Sequence, residues 1–116
     1  MDAPFIELPA FQRHREAYLP EAAFTALQVE LLRNPGAGAV IQGTGGLRKL
    51  RFIDDLRHKG KRGGIRVIYY WWDGGAQFWL FTVYGKDDQA DLSRAQRQSL
   101  KQRLGHEVAA RAKHET

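Results

Sequence analysis

Gly63-Gly64-Ile65-Arg66-Val67-Ile68-Tyr69-Tyr70-Trp71-Trp72 is the stretch around which the rest of the chain is organised. Two glycines are followed by eight β-branched, aromatic or cationic residues, and Asp73-Gly74-Gly75 closes the run as a turn. Gln77-Phe78-Trp79-Leu80-Phe81-Thr82-Val83-Tyr84 starts at once. Two such runs around a glycine turn read as a β-hairpin whose strands are too apolar for a sheet edge. Arg66 is the exception. A cation in a central strand must reach solvent at one face or serve something anionic. The anion expected here is RNA phosphate.

The charge pattern points the same way. From Thr44 to Arg66 the cations Arg48, Lys49, Arg51, Arg57, Lys59, Lys61, Arg62 and Arg66 oppose only Asp54 and Asp55. That local balance of +6 exceeds the +5 of the whole chain. Such concentration is the footprint of a polyanionic partner. At 116 residues the chain has the size of one domain spanning 1–116, with a core but not two. It has no cysteine, so disulfides and thiolate metal sites are excluded and a reducing cytoplasm is the simplest location. The histidines at 14, 58, 106 and 114 lack paired metal-ligand spacing, and neither a metal nor a cofactor is expected. No apolar run approaches the ~20 residues of a membrane span, and Met1-Asp2-Ala3-Pro4 does not open a signal peptide.

In chain order, Phe5-Ile6-Glu7-Leu8 reads as a short strand ended by Pro9. Residues 10–19 suit a mostly polar helix with Phe11, Tyr18 and Leu19 as its apolar contacts. Pro20 and Glu21 suit the start of a second helix, carrying Ala23, Leu27 and Leu31 on one stripe. Asn34-Pro35-Gly36 stops it, and the glycines from 36 to 46 make a loop. Thr44-Gly45-Gly46 has no Walker lysine spacing and no helix after it, so a tight turn is the better reading than a phosphate cradle. In the strand over 47–53, alternation sets Arg48, Leu50 and Phe52 on one face and Leu47, Lys49 and Arg51 on the other. Lys49 and Arg51 then repel each other unless an anion arrives. After an acidic turn at 85–92, Ser93 and Gln96 form a capping box for a last helix with Leu100, Leu104 and Val108 as its stripe. The tail over about 109–116 is expected to fray.

This order of elements resembles the RelE/ParE toxin superfamily, and most closely its HigB-like branch, from Phe5 to Leu104. The residues that carry the resemblance are Phe5-Ile6-Glu7, Asn34-Pro35 with Gly38, Gly43 to Arg51, Gly63 to Tyr70, Tyr84-Gly85-Lys86 and Asp91-Leu92-Ser93. It implies an α+β fold: an N-terminal strand and two-helix hairpin packed on a small, mainly antiparallel sheet, with a C-terminal helix. It also implies a type II toxin–antitoxin toxin that cuts mRNA in the ribosomal A site without a metal. In that chemistry the 2′-OH attacks the adjacent phosphate and the 5′-oxygen leaves, which needs a base, an acid and cations for the added charge. The family's strand lysine and following-strand arginine match Lys49 or Arg51 and Arg66, and Lys86 matches a position near the same cleft. Where some members of the superfamily have a basic residue after that lysine and a tyrosine near the C-terminus, this chain has Asp87 and no aromatic residue after Tyr84, gaps that HigB-like relatives share.

The catalytic set implied is therefore Lys49, Arg51, Arg66 and Lys86. RNA or ribosome contacts are expected at Arg48, Arg57, Lys59, Lys61, Arg62, Tyr70 and Tyr84. The partners implied are mRNA, the ribosome and a cognate antitoxin with a helix-turn-helix DNA-binding domain. The antitoxin is expected to cover the C-terminal helix or the first helical hairpin, including exposed apolar groups such as Phe11 and Leu19. A ParE-like gyrase inhibitor and a non-catalytic nucleic-acid-binding corepressor are the alternatives.

Overall fold

The computed structural model describes residues 3–54, 57, 58, 60 and 64–114, with side chains to 111. The elements are β1 (Phe5–Glu7), α1 (Pro9–Tyr18), α2 (Glu21–Arg33), β2 (Ala39–Val40), β3 (Arg48–Phe52), β4 (Ile65–Trp72), β5 (Gln77–Gly85) and α3 (Arg94–His114). They form an α+β fold whose five-stranded sheet has the order β1-β5-β4-β3-β2. Among the described residues only β1 pairs in parallel, with β5; the other pairings are antiparallel. The hairpin strands β4 and β5 are central, as their composition requires.

Pro9 opens α1 rather than merely ending β1, because the first helical residue needs no N–H donor. Pro20 stands at the N-cap of α2, with Glu21 in the first turn. Both helices lie on one sheet face. Phe11, Phe24, Leu27 and Leu31 pack there against Leu50, Phe52, Val67, Tyr69, Phe78 and Leu80. Phe11 and Leu19, expected to be exposed, are 0% and 2% accessible. The narrow apolar face of α1 is turned inward, so these residues belong to the core and not to a docking surface.

α3 covers the opposite face, where Leu104 is buried and Leu100 and Val108 half-buried against a cluster of Leu47, Ile68, Trp79 and Phe81. The sheet is thus sandwiched, which explains why β4 reads as a continuous run rather than an alternation. The capping box forms as its spacing indicates: Gln96 N–H donates to Ser93 Oγ at 3.1 Å, and Ser93 N–H to Gln96 Oε1 at 2.8 Å. The helix continues to His114, past the point where fraying was expected.

Two local features have no sequence period to announce them. β2 is a two-residue strand inside the glycine loop, with Ala39 opposite Lys49 and Val40 opposite Arg48. A β-bulge shifts the β4–β5 register from Ile68↔Thr82 to Tyr69↔Leu80, leaving Phe81 as the extra residue. A one-residue shift exchanges sheet faces. Val83 therefore joins the core under α1 and α2, while Tyr84 turns toward α3.

Tyr69 closes the glycine loop onto the sheet. Its hydroxyl donates to Pro35 O at 2.8 Å and accepts the buried Gly38 N–H at 2.9 Å. Gly38 permits this approach, since a Cβ there would stand 2.8 Å from Tyr69 Cε1. Tyr69→Phe strands that N–H in a buried site, and denaturant unfolding should show a loss of about 1–3 kcal/mol.

Candidate functional site

Arg51, Arg66 and Tyr84 are directly opposed across β3, β4 and β5, on the face that α3 covers. Opposed residues hold their Cβ atoms about 4.5–5.5 Å apart. Lys49 stands two residues from Arg51 on the same face, as alternation requires. Exposure falls along the row: Arg51 is open to solvent, whereas Arg66 is 3% and Tyr84 7% accessible. β2 pairs only with Arg48 and Lys49, so Arg51 lies beyond it, at the accessible end of the row.

Arg66 does not reach solvent, although that was one way its presence could be accommodated. Its guanidinium donates to Ile65 O at 3.2 Å. Burial and then the neighbouring Arg51 lower its pKa, while Tyr84 and Asp91 oppose that shift. Burial also raises the Tyr84 pKa, assisted by Asp91 and opposed by Arg66 and Arg97, so the phenol keeps its proton at neutral pH. The Tyr84 hydroxyl is inaccessible and has no hydrogen-bond partner among the described residues.

The residue that the sequence reading left without a role is Asp91. It precedes α3, and its Oδ1 lies 3.3 Å from Lys49 Nζ while its Oδ2 lies 3.7 Å from Arg97. Oδ1 also accepts the Leu92 N–H at 2.8 Å. The bond from Leu92 lowers its pKa most, with Lys49 and Arg97 adding to it and burial opposing. The anion demanded by adjacent cations is thus supplied by the chain itself. No spacing in the sequence connects position 91 to position 49; only the folding of the turn ahead of α3 against β3 does.

The remaining candidates are dispersed. Arg48 points to the other face, where it donates to Gly38 O at 2.8 Å and Gly36 O at 3.3 Å. Arg57 pairs with buried Asp54 at 3.2 Å and lies 4.8 Å over the Tyr18 ring. Tyr70 is half-buried against Trp79, with ring centroids 5.3 Å apart. Lys86 follows β5 with its N–H on Gly64 O at 3.0 Å, and it takes no part in the ion pairs around Asp91 among the described residues. Lys59, Lys61 and Arg62 lie outside the described residues. Beside the row, Tyr84, Leu92 and Gln96 border a cleft of about 240 Å³ that His14, Tyr18 and Asp88 also line. Tyr18 there donates to Asp88 Oδ2 at 2.5 Å, a bond that raises its pKa. Among the described residues no group of three His, Asp or Glu side chains is placed to hold a metal ion. None of the described helices is long and apolar enough to cross a membrane.

No protein-family model matches the chain. Its fold is similar to that of solved structures. One is a chain of the intact RelBE toxin–antitoxin complex of E. coli, at 14% identity and TM-score 0.52, covering 71% of this chain and 94% of that one. Another is a mutant of the E. coli toxin RelE in the free state, at 16% identity and TM-score 0.54, covering 78% of this chain and 90% of that one. The chain has a RelE-like fold.

The Asp91 contact gives a titration with a definite sign. A carboxylate whose pKa is lowered on folding contributes stability above its unfolded pKa, and the contribution is lost as pH falls through the folded value. The Leu92 amide resonance should therefore titrate below the ordinary aspartate range, and Lys49→Met should move its midpoint upward.

Proposed function

We propose that this chain is the toxin of a type II toxin–antitoxin system, of the HigB-like branch, and cuts mRNA on the ribosome. The observation that carries the reading is the convergence of Lys49, Arg51 and Arg66 on one sheet face beside a protonated tyrosine. The likeness of its fold to E. coli RelE supports the toxin class. RNA cleavage by the neighbouring 2′-OH needs little else. The nucleophile is part of the substrate, and the protein has to align it, neutralise the phosphate and assist proton movement. Arg66 offers two donors to two phosphate oxygens in a fixed fork, where the buried setting strengthens each bond. Lys49 and Arg51 lead in from the accessible end of the row, and Lys86 follows β5 two residues after Tyr84, on the other side of Arg66.

The cluster has no glutamate–histidine pair to act as base and acid, so alignment comes from the ribosome. The protein acts in the cytoplasm and is neutralised by an antitoxin carrying a helix-turn-helix domain. The exposed basic surface of α3, with Arg94, Arg97 and Lys101, suits an acidic segment of that partner.

Arg66→Ala should lower cleavage of mRNA on programmed ribosomes by about 10²-fold, the effect of losing one preorganised donor to transition-state charge. Arg66→Lys keeps the charge, loses the fork and should recover only part of that rate. Thermal melting controls for folding. Full cleavage by a folded Arg66→Ala protein would remove Arg66 from the site, and equal cutting of naked mRNA and ribosome-bound mRNA would remove the ribosome from the mechanism.

A further inference from the structure

A buried hydroxyl without a partner is an anomaly in a folded protein, and the Tyr84 hydroxyl is one among the described residues. The bulge at Phe81 is what places it. Without that extra residue Tyr84 would face α1 and α2, and with it Tyr84 faces Arg66 and the start of α3. The Asp91 carboxylate, whose charge acts on both Tyr84 and Arg66, presents one oxygen to Lys49 and the other to Arg97, at 3.3 and 3.7 Å.

We propose that the Tyr84 hydroxyl is a working hydrogen-bond donor of the site, directed at the RNA phosphate that Arg66 holds. The Asp91 carboxylate stands in that phosphate's place while no RNA is bound. The proposal rests on the nuclease reading and adds to it a donor and a resident competitor. A carboxylate and a phosphodiester each bring one negative charge shared over two oxygens, so cations arranged for one accept the other. Asp91 is suited to leave: its side chain is 52% exposed and lies on the turn ahead of α3, outside the sheet. Its departure releases Lys49 and Arg97 to the incoming anion beside Arg66. The phenol is protonated at neutral pH, so it donates without any transfer of its proton.

Two nearly isosteric substitutions should then act in opposite directions. Tyr84→Phe removes only an unpartnered hydroxyl, so the full-length protein should melt at or above the parental temperature. Its single-turnover cleavage of ribosome-bound mRNA should nonetheless fall by about 10²-fold. Asp91→Asn keeps an oxygen for the Leu92 N–H and removes the charge. Fluorescence anisotropy with a single-stranded RNA whose 2′-hydroxyls are methylated should show binding tighter by about fivefold or more, because a like charge has left the phosphate site. Asp91→Ser, which also keeps an acceptor for Leu92, should do the same and guards against misfolding of either variant. Parental cleavage by Tyr84→Phe, or RNA binding no tighter than parental by both Asp91 variants, overturns the proposal. If Arg66→Ala still abolishes cleavage in that case, the nuclease reading stands without it. If Arg66→Ala also cleaves normally, both fall together.

Discussion

A guanidinium held inside a sheet that is covered on both faces is the constraint on which the remainder of this molecule depends. Arg66 sits in β4 between Ile65 and Val67, all three buried, and the strand has helices on either side. A cation there requires polar surroundings built from other elements. Tyr84 on β5 and the carboxylate of Asp91 ahead of α3 favour its charged form against burial and the neighbouring Arg51, and the Ile65 carbonyl accepts from it. The sheet register, the bulge and the docking of α3 all bear on one charge.

The two faces of the sheet are secured differently. The α1–α2 face is a broad apolar core in which Phe11, Leu27, Leu31, Tyr69 and Phe78 are almost fully buried. The α3 face is narrower, with Leu104 as its buried helix residue, and toward its start the helix is held by polar contacts. Ion pairs of exposed groups contribute about 0.2–1 kcal/mol each, far less than a buried aliphatic side chain. The turn ahead of α3 is thus held by exposed ion pairs at Asp91 and by the single buried side chain of Leu92.

Much of this was legible in the sequence, for reasons that are local. The β4–β5 hairpin was marked by two apolar runs around Asp73-Gly74-Gly75, and the start of α3 by the reach of Gln96 back to Ser93. Alternation correctly separated Arg48 from Lys49 and Arg51. What was hidden depends on contacts between distant segments. β2 is too short to have a period, and the shift at Phe81 that turns Tyr84 toward Arg66 leaves no trace in composition. Phe11 and Leu19 lie in a mostly polar segment and looked exposed until the sheet was placed beneath them. Asp91 looked like part of an acidic turn, because the lysine it meets is 42 positions away.

A cell-free translation reaction tests the nuclease function most directly. With the purified protein added to an extract programmed with one defined mRNA, protein synthesis should stop and the mRNA should be recovered in shortened pieces, cut within its translated region. Synthesis that stops with full-length mRNA intact, or continues unaffected while DNA gyrase is inhibited, would contradict it.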